Sequence, residues 1–218
     1  MLILNNKIIR GNPTMLYDHT ILVDKFKGYS NVNQKIALEA RKGTFVKIKR
    51  GLYSDNVKVD APVLANVCLS PSYLSFEYAL AFYGLIPEKV SLYSSACFGK
   101  KANKTFESGA LTLSYSSIPE RAFPEGILFL RNEAGMRYKI ARPEKALCDT
   151  LYSTYPVRSL KDFKTMLFED LRIDETGLKK LDYGFILKVI PLYRSNTLNV
   201  FEKYIRKELL HERNKRTD

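Results

Sequence analysis

The sequence contains few of the residues that build disulfide or metal frameworks, and it has no long apolar run near its start. Its three cysteines, Cys68, Cys97 and Cys148, are odd in number and widely spaced, so neither a disulfide framework nor a zinc-ligand spacing is present. Such cysteines are typical of a reducing compartment. The first apolar run is only four residues, too short for a signal-peptide core or a membrane span. We expect a cytoplasmic protein that binds no metal and no membrane.

Residues that commonly carry catalysis are also scarce. The only histidines are His19, before an apolar helix, and His211, in a charged tail, which disfavours histidine chemistry. Cys148 shares a helical register with Ala146 and Leu151, which is typical of a core thiol rather than a nucleophile. The chain has no glycine-rich phosphate loop, and it lacks the Gly-Ser and Asp-x-Asp pairs of a nucleotidyltransferase. We expect no cofactor and no enzymatic activity.

One catalytic alternative stays open, a metal-dependent nuclease. Glu133, Lys139, Glu144 and Asp149 flank a predicted strand at 136–140, and carboxylates with a lysine near a strand end can hold a metal and activate water. No compact Asp-x-Glu-x-Lys unit follows the strand, however. Glu144 is also explained without catalysis, because the helix dipole favours an acid in a first helical turn.

Positive charge is abundant and uneven. The chain has 35 Lys and Arg against 23 Asp and Glu, a net charge of +12, which indicates a polyanionic partner. Residues 1–60 hold 11 of those cations and 5 of the acids, and so carry half of the excess. The polar stretch from Lys58 to Pro62 marks a boundary. We predict two domains, 1–60 and 61–218.

The first domain has the pattern of a winged helix. Apolar residues at helical spacing indicate a helix over 19–27, which Gly28 stops. The pair Ser30-Asn31 offers a cap for a second helix that runs to Arg41 and ends at Gly43. Two short helices separated by a few small or polar residues form a helix-turn-helix. Residues 44–53 then alternate apolar and basic side chains around an Arg50-Gly51 turn, as a hairpin does.

Basic and amide side chains of this region are the predicted DNA-binding residues. Five basic residues and no acid occur within 41–50, a density suited to successive phosphates. Amide side chains in the first turn of the second helix can read adenine. The alternative is that these groups only solvate a hairpin and cap a helix. The predicted DNA-binding set is Asn31, Asn33, Gln34, Lys35, Arg41, Lys42, Lys47, Lys49 and Arg50.

The rest of the chain predicts an α+β domain with a helical tail. Ser75 and Gly84 delimit a helix, and Pro143 begins another. β-branched and aromatic segments predict an antiparallel sheet, and amphipathic segments predict the helical tail. The last helix is basic on its outer side, which suits either a solvated face or a second DNA contact through Lys203, Arg206, Lys207 and Arg213. The predicted strands are 90–98, 110–115, 127–130 and 136–140, and the predicted tail helices are 159–171, 176–181, 185–192 and 195–210.

Three segments, in this order, resemble the signatures of the AbiEi antitoxin family. They are KIKRGLY at 47–53, YLSFEYAL at 73–80 with YGL at 83–85, and YKIARPEKALCD at 138–149. The resemblance covers roughly residues 14–152. It implies an N-terminal winged helix-turn-helix followed by a mixed α/β domain, although the helix that usually opens the family's winged helix is hard to see in residues 1–13.

The resemblance also implies a function. Such proteins are transcriptional autorepressors that bind inverted repeats in promoter DNA. They also neutralise a nucleotidyltransferase-like toxin in a type IV abortive-infection system, without an obligatory direct contact. The alternative from the residues is a winged-helix transcription factor whose larger domain senses a ligand and has no toxin partner.

Overall fold

The computed structural model describes residues 15–55, 59–88, 90–99, 103–108 and 111–210. The chain divides into two compact units, with the division between Val59 and Asp60. Among the sequence predictions, the stretch at residues 1–13, Lys58 of the boundary, Ala110 of a strand, and the tail residues His211 and Arg213 lie outside the described residues.

The first unit consists of two helices and a small antiparallel sheet. The strands lie in the order β1-β3-β2, so β3, the last of the three in sequence, is the central strand. Both helices fall between β1 and the β2-β3 hairpin in sequence. The elements are β1 (Leu16–Asp18), α1 (His19–Lys25), α2 (Val32–Arg41), β2 (Val46–Lys49) and β3 (Leu52–Ser54).

Local signals explain where these helices begin and end. Asp18 caps α1, because its Oδ1 accepts a hydrogen bond from the Ile21 N–H at 2.8 Å. Asn31 caps α2 in the same way, through the Gln34 N–H at 3.0 Å. Gly43 has a φ of +79°, the left-handed conformation that terminates a helix at low cost. The predicted cap at Asn31 and the predicted end at Gly43 are both confirmed.

A small apolar core joins the helices to the sheet. Leu22 of α1, Ile36 of α2 and Phe45 before β2 are buried together. Tyr17 and Tyr53 pack against them from β1 and β3, with the Tyr17 and Phe45 rings edge to face at 5.3 Å. The helices and the hairpin are therefore held in one frame, and Tyr53 lies where an anchor for the hairpin is expected.

The second unit is built on a mixed sheet. Among the described residues the strand order is β6-β7-β5-β4-β9-β8, with three antiparallel pairs and two parallel pairs, β5 with β7 and β4 with β9. The α+β class is confirmed, but the antiparallel prediction is wrong for the two parallel pairs. The strands are β4 (Tyr73–Leu74), β5 (Leu92–Cys97), β6 (Lys104–Ser108), β7 (Leu111–Ser117), β8 (Ile127–Arg131) and β9 (Arg137–Ala141).

Two strands that the sequence did not reveal cause this difference. β6 forms a hairpin on the outer side of β7, so β7 returns beside β5 in the same direction. β4 has only two residues and lies between β5 and β9, antiparallel to the first and parallel to the second. The predicted β5, β7, β8 and β9 are present within a few residues of their expected bounds.

Helices surround this sheet and form the tail. The predicted helix starts at Pro143 and after Ser75 and Ser159 are confirmed, whereas α3 was not predicted. α6 and α9 each continue as a π-helical turn, at Met166–Asp170 and Ile205–Leu209. In the described part of the chain, no helix combines the length and the apolar character needed to cross a bilayer. The helices are α3 (Ala61–Cys68), α4 (Phe76–Phe82), α5 (Pro143–Ser153), α6 (Leu160–Thr165), α7 (Glu175–Lys179), α8 (Tyr183–Tyr193) and α9 (Asn196–Tyr204).

Candidate nucleic-acid interface

Three of the four polar side chains predicted to read bases already have partners inside the first unit. The Asn31 amide oxygen caps α2. The Asn33 Oδ1 lies 2.9 Å from the Nε2 of His19, which ties the start of α2 to the start of α1. The Lys35 ammonium bonds to Glu39 Oε1 at 2.8 Å and lies over the Tyr29 ring, 4.7 Å from its centroid. These three side chains are therefore held in place by contacts within the first unit.

A different set of side chains forms the exposed face of α2. Gln34, Ala37, Leu38 and Arg41 are spaced by three, four and seven residues, so they lie on one face of the helix, and all are exposed. They line an open depression of about 460 Å³ together with Tyr29 and Ser30 and with two of the predicted residues, Asn31 and Lys35. Leu38 is 44% exposed, so this face carries an apolar side chain between its polar ones. Sequence reasoning included Gln34 and Arg41 but not the apolar pair between them.

The carboxylate of Glu39 organises the C-terminal part of α2. Besides Lys35, it accepts a hydrogen bond from Thr44 Oγ1 at 2.7 Å, and the Lys42 ammonium lies 3.9 Å away. The hydrogen bonds from Lys35 and Thr44 lower the pKa of Glu39 below its ordinary value. Lys42 is therefore partly neutralised within the protein, whereas Arg41 has no carboxylate partner among the described residues.

The hairpin places its cations around a second depression. Gly51 turns the chain with a φ of +81°, as the Arg50-Gly51 signal predicted. The His19 N–H donates to the Gly51 carbonyl at 2.9 Å, which fixes the turn against the start of α1. Lys47 and Arg50 are exposed and Lys49 is half-buried. The depression has a volume of about 640 Å³ and is lined by His19, Asn33, Lys47, Arg50, Gly51 and Tyr53.

Neither depression is lined by an acidic residue. Within the described part of the first unit the carboxylates have partners: Glu39 pairs with Lys35 on α2, Asp18 caps α1, Asp24 pairs with Lys27 at 3.2 Å, and Asp55 bonds the backbone N–H of Met15. Arg41 on the exposed face of α2 and Lys47 and Arg50 on the hairpin therefore line depressions in which no described residue is acidic. This pattern attracts a polyanion.

The second unit contains a buried polar network. The carboxylate of Asp149 accepts hydrogen bonds from Lys145 Nζ at 2.6 Å and Tyr193 OH at 2.5 Å, and on its other oxygen from Ser75 Oγ at 2.6 Å and Tyr73 OH at 3.0 Å. The Lys145 and Asp149 side chains are fully buried. Burial, reinforced by the carboxylate, raises the pKa of both tyrosines well above the ordinary value. The network joins β4, α5 and α8.

This network unites residues from two of the three sequence signatures. Tyr73 and Ser75 belong to the segment 73–80, and Lys145 and Asp149 belong to the segment 138–149. Ser75 was expected to cap α4, but its hydroxyl makes no cap bond and is used by Asp149 instead. The two segments therefore have a shared structural reason to occur together.

The carboxylates of the nuclease alternative are held by protein groups. Glu144 accepts hydrogen bonds from Arg142 Nε at 2.9 Å and from the Asp182 N–H at 3.0 Å, while Asp149 is enclosed by its network. Burial lowers the pKa of Lys139. Among the residues that the structure describes, no group of three or more His, Cys, Asp or Glu side chains is placed to hold a metal ion.

The cations of the last helix belong to the second unit. Arg206 pairs with Glu202 at 2.9 Å, while Lys203 and Lys207 are exposed. Cys148, the thiol assigned to the core, is fully buried, and burial raises its pKa. Comparison of the sequence with models of protein families and with curated proteins found no match in either.

Proposed function

We propose that this chain is a DNA-binding transcriptional repressor whose first unit is a winged helix, and that it acts as an antitoxin of the AbiEi type. The observation that carries the proposal is the pair of depressions on α2 and the hairpin, whose lining among the described residues includes cations and amides and no acid. The element order β1-α1-α2-β2-β3 with the sheet order β1-β3-β2 supports it, because a helix pair followed by a β-hairpin is the winged-helix variant of the helix-turn-helix.

In the proposed complex the hairpin is the wing and holds the DNA backbone. Lys47, Lys49 and Arg50 contact phosphates, which sets the position of the protein on the duplex and makes affinity depend on salt. The exposed positions of Lys47 and Arg50 suit this role.

The exposed face of α2 enters the major groove and reads bases. Gln34 suits adenine and Arg41 suits guanine, because their donors and acceptors match the groove edges of those bases in pairs. Ala37 and Leu38 suit the methyl group of thymine. Asn31, Asn33 and Lys35 have intramolecular partners beside this face, and Asn31 and Lys35 also line its depression.

A footprint on the DNA upstream of the gene tests the DNA-binding part. We expect the full chain to protect an inverted repeat there. Gln34→Ala and Arg41→Ala should each weaken binding by about 1–3 kcal/mol at one base position and relax the preference at that position. Gln34 and Arg41 lie on α2, whereas the matched control Arg121→Ala removes an exposed cation of the second unit and should bind like the wild type. Equal affinity for the upstream fragment and for unrelated DNA would contradict sequence-specific repression.

The antitoxin part is supported by the resemblance and by the buried network that links two of its signatures. Co-expression with an adjacent nucleotidyltransferase-like gene should restore growth. The variant with Lys47, Lys49 and Arg50 changed to alanine separates the two activities, since it should lose operator binding and keep the rescue. Rescue that disappears together with DNA binding would show that this protein limits the toxin only by repression.

A further inference from the structure

The depression at the wing brings together three side chains that can carry positive charge. His19 comes from the start of α1, Lys47 from β2 and Arg50 from the turn. His19 was not among the predicted DNA-binding residues, because a single histidine before a helix carries no sequence pattern. Its backbone N–H is bonded to Gly51, so the position of His19 beside the turn is fixed by the fold.

The contact with Asn33 determines how His19 can bind a ligand. Its Nε2 lies 2.9 Å from Asn33 Oδ1, and an amide oxygen can only accept, so Nε2 carries a hydrogen in this contact. The other ring nitrogen, Nδ1, has no hydrogen bond within the described residues. In the neutral ring Nδ1 offers a lone pair, which repels an anion. In the protonated ring it offers an N–H and a positive charge.

We propose that this depression binds one backbone phosphate of duplex DNA, and that His19 joins Lys47 and Arg50 in that contact only when its imidazole is protonated. DNA affinity then rises as the pH falls. The inference rests on the proposed function, since it adds a pH-dependent contact to the same DNA surface. Asn33 is a positioning residue, because it fixes the ring through Nε2 and leaves Nδ1 for the phosphate.

The groups around His19 favour this assignment. Lys47 and Arg50 are the charged groups that line the depression, and Tyr53 is the other titratable one. α2 contributes only the Asn33 amide there. Asp18, which precedes His19, has its Oδ1 engaged by the Ile21 N–H at the start of α1. No carboxylate lines the depression to take the place of the phosphate.

Binding of the full chain to a labelled upstream DNA fragment, measured by fluorescence anisotropy at constant ionic strength, tests the inference. The two measurements are made at about pH 8 and at about pH 5.5. We expect affinity to increase about tenfold over that interval, as for one added charge-assisted hydrogen bond. The slope of log affinity against log salt should be steeper by about 0.9 at the lower pH.

Three variants separate the contact from other effects of pH. His19→Gln should bind with nearly equal affinity at both pH values, and His19→Lys should bind at the higher pH as tightly as the wild type does at the lower one. Asn33→Ala should reduce the ratio of the two affinities. His211→Gln, which removes the only other histidine, is the matched control and should keep the full pH dependence.

The possible failures are distinguishable. If the wild type and His19→Gln bind DNA with the same pH dependence, His19 is not the contact and the inference is overturned while the proposed function stands. If Asn33→Ala weakens binding equally at both pH values, Asn33 reads the DNA directly and its positioning role is wrong. If neither the wild type nor any variant binds duplex DNA at either pH, the proposed function itself is wrong.

Discussion

Replacing Asp149 with alanine is expected to destabilise the second unit more than any surface change can. The Asp149 carboxylate is completely buried and is the common acceptor for Lys145, Tyr193, Tyr73 and Ser75. Its removal leaves the Lys145 ammonium at 0% exposure without a counter-charge. The Tyr193 hydroxyl remains beside that ammonium, but it carries no compensating negative charge.

The magnitude follows from the burial of the pair. Removing one partner of a buried ion pair costs about 3–5 kcal/mol, because the remaining charge stays desolvated and unpaired. Since domains are stable by only about 5–15 kcal/mol, this is a large fraction of the total. In a chain of this size the melting temperature should fall by about 10 °C.

Urea unfolding of the full chain, followed by far-UV circular dichroism, measures this loss. The matched control is Glu88→Ala, which removes an exposed partner of Arg172 in the same unit and should cost less than about 1 kcal/mol. Lys145→Met combined with Asp149→Ala should be less destabilised than the sum of the single changes, because no unpaired charge is left. A loss below about 1 kcal/mol for Asp149→Ala, or simple additivity in the double variant, would refute this reasoning.

Three other outcomes are expected. Hydrogen bonds hold the pKa of Glu39 below its usual 4.5, so the ionised Glu39 stabilises the first unit above that pH and this stabilisation is lost as the pH falls. Glu39→Gln should therefore weaken the dependence of the melting temperature on acid pH. An unchanged dependence would contradict the assignment. Gly51→Ala should lower the free energy of unfolding in urea by about 1–2 kcal/mol, because the φ of Gly51 is +81°. Gly28→Ala, which has open space around it, should lower that free energy less. Equal effects of the two changes would count against strain at the Gly51 turn. Cys68, Cys97 and Cys148 are all buried, so dithionitrobenzoate should modify no thiol in the native protein and three thiols after denaturation. Rapid labelling of the native protein would contradict this expectation.

The two helices and the hairpin of the first unit were predictable because their signals are local, whereas β1 was not predicted. The Asn31 cap acts three residues along the chain, and Gly43 and Gly51 meet conformations that glycine adopts readily. The order of strands in the second unit was not predictable in this way. α3 is apolar and buried on nearly every side, so it shows no two-faced period, and β4 is too short to show any.

The candidate site likewise has features that the sequence predicts and contacts that it does not. The positive charge of the hairpin comes from residues that lie close together in the sequence, so the exposed Lys47 and Arg50 could be predicted from it. The engagement of Asn33 by His19 depends on two helices meeting, fourteen residues apart in sequence, and no periodicity reports it. The buried network also links positions separated by more than seventy residues, such as Ser75 and Asp149. Because three residues in the first turn of α2 have intramolecular partners, the base-reading surface that we propose lies on the exposed face of α2.

The salt dependence of operator binding tests the DNA-binding account most directly. It compares the full chain with a variant that has alanine at Lys47, Lys49 and Arg50, and with a control that has alanine at three exposed cations of the second unit, Arg121, Arg158 and Lys161. For the wing variant we predict weaker binding and a slope of log affinity against log salt that is shallower by about 0.9 for each lost phosphate contact. The control should keep the wild-type slope. Equal slopes for the wild type and the wing variant would contradict the claim that this surface holds DNA.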